Sequence, residues 1–134
     1  MDATIMRGRV QEARVGHLAT VSPGGRPHVV PCCFVLDEET LYSAVDAKPK
    51  SSLELQRLSN LRANSSASLL VDEYSDDWAT LWWVRLDGTA RIVGPGAERE
   101  RALVLLTAKY QQYVRDPPPG AVIAIDIVGW RAWP

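Results

Sequence analysis

Leu81-Trp82-Trp83-Val84-Arg85-Leu86-Asp87-Gly88-Thr89-Ala90-Arg91-Ile92-Val93 is the stretch on which the fold turns. Its β-branched and aromatic residues suit a pleated, half-buried surface, so it reads as strand. Asp87-Gly88 between two apolar runs is a hairpin signal, and a glycine inside a strand equally marks a bulge or a bend. The flanking pieces are short for two separate strands, and a strongly coiled strand suits a small barrel; both points favour one bent strand. Towards the amino terminus, Asp72 to Asp77 make an acidic loop and Ala67 to Tyr74 a strand. Before them Leu53, Leu55, Leu58 and Leu61 give an apolar stripe of helical spacing, opened by a capping box of Ser51 and Glu54 and followed by breakers in 60–66.

Further out, His17 to Ser22 and Pro27 to Leu36 read as a hairpin around the turn Pro23-Gly24-Gly25-Arg26, and Thr40 to Val45 as the next strand after Asp37-Glu38-Glu39. Sequential pairing is expected of this meander. Thr4 to Val15 suits a short surface helix that Gly16 closes. On the other side, Ala97 to Val114 is predicted as one helix, with Leu103, Leu106, Tyr110 and Tyr113 on one face until Asp116-Pro117-Pro118-Pro119-Gly120 stops it. Ala121 to Val128 is the last strand, and Gly129 to Trp133 leaves it. Six strands and three helices without βαβ alternation predict an antiparallel barrel with helices packed outside.

Within Pro27 to Leu36 the even positions His28, Val30, Cys32 and Phe34 and the odd positions Val29, Pro31, Cys33 and Val35 are both largely apolar. A barrel wall has one inside, so the other face needs a cover, a helix or a second subunit, and the tryptophans at 82 and 83 raise the same demand. A homodimer is the expectation. No repeat or linker divides residues 1–134, so a single domain is expected.

Fifteen Lys and Arg against sixteen Asp and Glu leave a net charge of −1, which gives no field to hold a nucleic acid or an anionic membrane surface. The apolar runs are shorter than the roughly 20 residues of a membrane-spanning helix, and no signal-peptide pattern opens the chain. Two adjacent cysteines, Cys32 and Cys33, make no disulfide framework and point to opposite faces, so they bind no shared metal. His17 and His28 lie on different strands without a third ligand, and no metal site is expected. A cytoplasmic location follows.

The segment Tyr42-Ser43-Ala44-Val45-Asp46-Ala47-Lys48-Pro49-Lys50-Ser51-Ser52 brings two lysines and two hydroxyls to the first turn of a helix, where free N–H groups and the helix dipole favour an anion. It reads as a phosphate cradle; it also reads as a capped helix with solvated lysines. Trp78, Trp82 and Trp83 read as packing or as an aromatic wall against a planar ligand. No Walker loop, GxGxxG or nucleophile elbow is present.

Gly25-Arg26-Pro27-His28-Val29-Val30-Pro31, Tyr42-Ser43 leading to Lys48-Pro49-Lys50, and Trp83 to Arg91 together resemble the pyridoxamine 5′-phosphate oxidase-like split-barrel proteins over nearly the whole chain. The run Asp72 to Trp78 with Leu81-Trp82-Trp83-Val84-Arg85 is most similar to the actinobacterial subgroup that uses the deazaflavin coenzyme F-420. The resemblance implies a mainly β fold with flanking helices, a six-stranded antiparallel split β-barrel, and a cofactor groove between two subunits. It implies that Lys48, Lys50 and Ser51 hold the cofactor phosphate with Ser43 beside it. Val29, Val30, Pro31 and Cys32 would run along the ring, and Trp83 would lie where the partner subunit reaches over the groove.

The activity implied is hydride transfer between the deazaflavin and a small planar organic acceptor. FMN is the alternative cofactor, and a non-catalytic flavin- or tetrapyrrole-binding protein the alternative class. His28 is the one nearby group with a suitable ordinary pKa for a proton-donor role. Arg57 and Arg62, read as solvent-facing, suit the acidic tail of the deazaflavin. Lys-Pro-Lys in place of the family's Arg-Lys, and a carboxy terminus that is not basic, speak against oxidation of a vitamin phosphate.

Overall fold

The structure, a computed structural model, describes residues 1–45 and 52–134. Its elements are α1 (Ala3–Glu12), β1 (Gly16–Val21), β2 (Pro27–Cys32), β3 (Val35–Asp37), β4 (Thr40–Ala44), α2 (Ser52–Ala63), β5 (Ser66–Glu73), β6 (Trp82–Val93), α3 (Ala97–Lys109), α4 (Gln112–Arg115) and β7 (Val122–Trp133). The strands form one antiparallel sheet in the order β2-β1-β5-β6-β7-β4-β3. Laid flat, seven strands spaced by about 4.8 Å would put β2 and β3 almost 30 Å apart. Only Cys33 and Phe34 separate them in the chain, and such a link spans roughly 10 Å. The sheet is therefore curled into a split barrel, its two edges held together by that link.

The expected count of six strands is corrected to seven because Pro27 to Leu36 is not one strand. Phe34 is fully buried, and its backbone N–H donates to the Tyr110 hydroxyl at 3.1 Å instead of to a neighbouring strand. β2 pairs with β1, whereas β3 pairs with β4 at the opposite edge, so the meander is interrupted. The same tyrosine corrects the helix expected over Ala97 to Val114. Tyr110 leaves helical geometry at φ −116 and ψ 102, its hydroxyl within donating distance of the Arg14 carbonyl (3.0 Å) and the Phe34 carbonyl (3.1 Å). Only the short α4 resumes the turn.

The bent-strand reading of Leu81 to Val93 holds. β6 is one strand of 12 residues, and its register against β7 shifts between Asp87 and Gly88, so that Asp87 faces Gly129 while Gly88 faces Ile127. Val128 is the extra residue of this bulge and is exposed. At Gly88 the two strands run so close that a Cβ would collide with the Asp126 carbonyl oxygen and lie 2.7 Å from Ile125 Cγ2. The last strand is longer than expected, because residues 129–133 stay paired with β6 through Trp83, opposite Trp133.

The barrel interior is filled by alternating residues: Leu18 of β1, Leu69 and Val71 of β5, Val84 and Leu86 of β6, Ile123 and Ile125 of β7, with Phe34 and Leu58 and Leu61 of α2. Each such side chain taken out of water contributes about 1.5–3 kcal/mol. A second cluster lies outside the wall, where Leu106, Tyr110 and Tyr113 cover Tyr42 and Ala44 of β4 and Val122 and Ala124 of β7. Both faces of β7 are thus covered over Val122 to Ile125, and all four residues are buried. On β5 burial alternates instead, with one face turned into the barrel and the outer one open among the described residues.

Candidate functional site

That uncovered outer face carries a cleft of about 540 Å³, a volume usual for small-molecule sites. Strand register builds it in rows. Val29, Ala19, Ser68 and Asp87 stand side by side, then Pro31, His17, Leu70 and Arg85, then Asp72 and Trp83. Its floor is apolar and its rim charged. Arg85 is paired with Asp87 at 2.8 Å, and Ser68 Oγ donates to the same carboxylate at 2.6 Å. Burial would raise Asp87, but the bonds from Arg85 and Ser68 outweigh it and hold the carboxyl below its ordinary value. Trp82 is pinned by an indole N–H bond to Glu73 Oε2 at 3.0 Å and by the Arg9 guanidinium 4.7 Å from its ring centroid. Trp83 faces the cleft half-buried. Trp78 stands apart, 71% exposed on the loop before β6.

The residues expected along the ring divide by parity. Val29 and Pro31 present their side chains on the open face, whereas Val30 is half-buried and Cys32 buried on the inner one. Because β2 ends the sheet order, its far backbone edge has no strand partner among the described residues and is free for contacts to a ligand. Ser43 is buried and donates to the Cys33 carbonyl at 2.8 Å, tying β4 to the β2–β3 link. Cys32 is held as a thiol: burial pushes it up to about 11, against the smaller opposing influence of Ser43 and Arg57. His28 turns inward from β2, both ring nitrogens shielded and without a hydrogen-bond partner among the described residues. Lys48, Lys50 and Ser51, and with Ser51 the expected capping box, lie outside the described residues.

The structure corrects the reading of Arg57 as solvent-facing. It is 7% exposed, on the face of α2 that carries Leu58, Asn60 and Leu61 into the barrel, and its Nε has no hydrogen-bond partner among the described residues. Its neighbour Asn60 is fully buried but satisfied, accepting from Gln56 and donating to Thr20 Oγ1 at 3.1 Å. Arg62 is exposed, as expected. A buried guanidinium that is not paired with a carboxylate among the described residues is costly unless something anionic meets it. Sequence reasoning missed it because an arginine in a helix reads as a solvated face. The available signal was its spacing: Arg57 lies four residues before Leu61, on the apolar stripe. A cofactor phosphate fits this cation. Among the described residues no group of three or more His, Cys, Asp or Glu side chains gathers to hold a metal, and no helix is long and apolar enough to cross a membrane.

The family profile of pyridoxamine 5′-phosphate oxidase matches residues 5–134. Among solved structures, a conserved hypothetical protein of Mycobacterium tuberculosis is similar with a TM-score of 0.80 at 23% identity, over 99% of this chain and 84% of the other. An FAD-binding protein of Mesorhizobium loti gives 0.73 at 22% identity, over 98% and 94% of the two chains. The heme storage protein of Vibrio cholerae gives 0.74 at 16% identity, over 98% and 92%. At such identities the likeness is one of fold. No curated protein sequence matches the chain.

Proposed function

The chain belongs to the pyridoxamine 5′-phosphate oxidase family, and on that premise we propose that it is a homodimeric oxidoreductase that binds coenzyme F-420 and passes a hydride to or from a small planar organic acceptor. The observation that carries the reading is the buried Arg57 at the amino-terminal half of α2, whose Nε has no hydrogen-bond partner among the described residues and which calls for an anion where a phosphate-bearing cofactor would end. When bound, the deazaflavin ring supplies the hydride chemistry; the protein supplies position and exclusion of water. Arg57, with Lys48, Lys50 and Ser51, holds the phosphate, and the free backbone edge of β2 from Val29 to Cys32 orients the ring. The apolar outer face with Trp83 is closed by a second copy of the chain, which forms the other wall of the groove. His28, the proton donor expected from the sequence, turns both ring nitrogens into the barrel and is given no part in the transfer. FMN in the same place is the alternative cofactor.

Titration of the apoprotein with oxidised and reduced coenzyme F-420 and with FMN tests this. Coenzyme F-420 is expected to bind more tightly than FMN and to quench indole fluorescence. FMN that co-purifies in stoichiometric amount and resists displacement would transfer the reading to a flavoprotein.

A second reading, a tetrapyrrole-binding module without turnover, is favoured by His17, which lines the apolar floor of the cleft and would be the residue to hold the iron of such a group. Hemin in the same titration separates the two: a Soret shift abolished by His17→Ala supports it, and acceptor-dependent oxidation of reduced F-420 supports the enzyme.

A further inference from the structure

We propose a second anion-binding site beyond the end of β2, where Lys109 and Arg14 hold the acidic group of a small carboxylate- or phosphate-bearing ligand beside the Phe34 and Tyr110 rings. Lys109 is the last residue of α3, and its Nζ is shielded from solvent without a hydrogen-bond partner among the described residues. It lies 3.9 Å from the centroid of the Phe34 ring and 5.4 Å from that of Tyr110. The Arg14 guanidinium lies over the same Tyr110 ring at 4.7 Å. Two cations thus share one aromatic ring, and neither is paired with a carboxylate among the described residues.

Cation–π contact offsets only part of the cost of a shielded ammonium, and the two like charges oppose one another. Burial, then the Arg14 charge, push Lys109 down to about 8, with Cys33 and Cys32 acting weakly in the other direction. At neutral pH the amine is still mostly charged. An anion relieves both the missing hydrogen bonds and the repulsion, and carboxylates and phosphates share that chemistry. Tyr110 cannot serve as the donor, since its hydroxyl is engaged by the backbone of Phe34 and Arg14. Arg14 is exposed and marks the side from which a ligand would enter.

The site stands apart from Arg57 in element, on α3 and the α1–β1 link instead of α2, although both cations act on the Cys32 thiol. The test therefore keeps them separate. Sodium phosphate and sodium benzoate are titrated into the whole chain against sodium chloride of matched ionic strength, with thermal midpoint and the Phe34 and Tyr110 amide NMR signals as readouts. Phosphate or benzoate, or both, should raise the midpoint and shift those signals beyond chloride, the stronger of the two identifying the acid class. K109M and R14Q should each weaken the apparent affinity about ten- to a hundredfold, and R57M should leave the shifts at Phe34 and Tyr110 in place. A response no larger than that to chloride, undiminished affinity in R14Q, or loss in R57M with retention in K109M overturns the proposal. R14Q changes an exposed side chain, so the test stands even where K109M fails to fold.

Discussion

Tyr110 accepts the backbone N–H of Phe34 at 3.1 Å, across 76 residues of chain, and so performs the work of a missing strand neighbour at the one break in the barrel wall. Its own proton is kept by burial, which pushes the phenol up to about 12. Tyr110→Phe leaves the Phe34 N–H buried and unsatisfied. The variant should lose about 1–3 kcal/mol of stability in urea unfolding. An unchanged midpoint would mean that this N–H finds another acceptor.

At Gly88 the constraint is steric. Gly88→Ala forces β6 away from Asp126 at the bulge, and the expected cost is about 1–3 kcal/mol. Gly94→Ala, where a Cβ meets nothing within 4 Å, is the control and should change little.

Arg57→Met should separate binding from folding. Replacing a buried cation that is not paired with a carboxylate by an apolar side chain of similar length should leave stability equal or higher. On the reading proposed above, affinity for F-420 or FMN should fall about ten- to a hundredfold. A stability loss with unchanged affinity would assign Arg57 a structural role only.

The outer face of β1, β2, β5 and β6 predicts association. Val29 is 62% exposed there, and Trp133 at the strand end 44%. Sedimentation should find a dimer at micromolar concentration, with Val29→Glu shifting it to monomer. A wild-type chain that sediments as a monomer throughout that range argues against a groove shared by two subunits.

Acid should loosen the contact of α3 with the sheet. Arg91 bonds Glu98 at 2.6 Å and Asp126 at 2.7 Å, and Tyr42 donates to Glu98 at 2.8 Å. The Arg91 bond, then that of Tyr42, bring Glu98 down to about 2, and Asp126 is lowered by the same arginine. A carboxylate whose folded pKa lies below its unfolded one stabilises the fold above the unfolded value and loses that contribution on protonation. Stability should therefore decline as pH falls from about 4.5 towards 2. Because these groups are partly exposed, salt should shrink the effect, and Arg91→Gln should flatten it.

The sequence made much of this legible where one residue decided one structure. Gly88 announced the bend, and the polyproline run ended the helical region. It was silent where two distant residues decided together. The apolar alternation of Pro27 to Leu36 runs unbroken through Cys33 and Phe34, and the helical stripe runs through Tyr110. Only the contact between them, made by tertiary packing, interrupts both. Arg57 was hidden for a related reason: its type signals solvent, and its true environment comes from the barrel under α2. The phosphate contacts expected of Lys48, Lys50 and Ser51 lie outside the described residues, while Val29 and Trp83 do face one cleft.

The position of β7 between β6 and β4 makes it a keystone. Until residues 122–133 dock, nothing in the sheet joins the β3–β4 hairpin to β2-β1-β5-β6, and each half presents an open, hydrogen-bonding edge. During synthesis the half-barrel must wait for β7, which is made after the other six strands. Closure is then a late, long-range event, of the kind that slows folding and leaves a nascent chain open to capture by other chains.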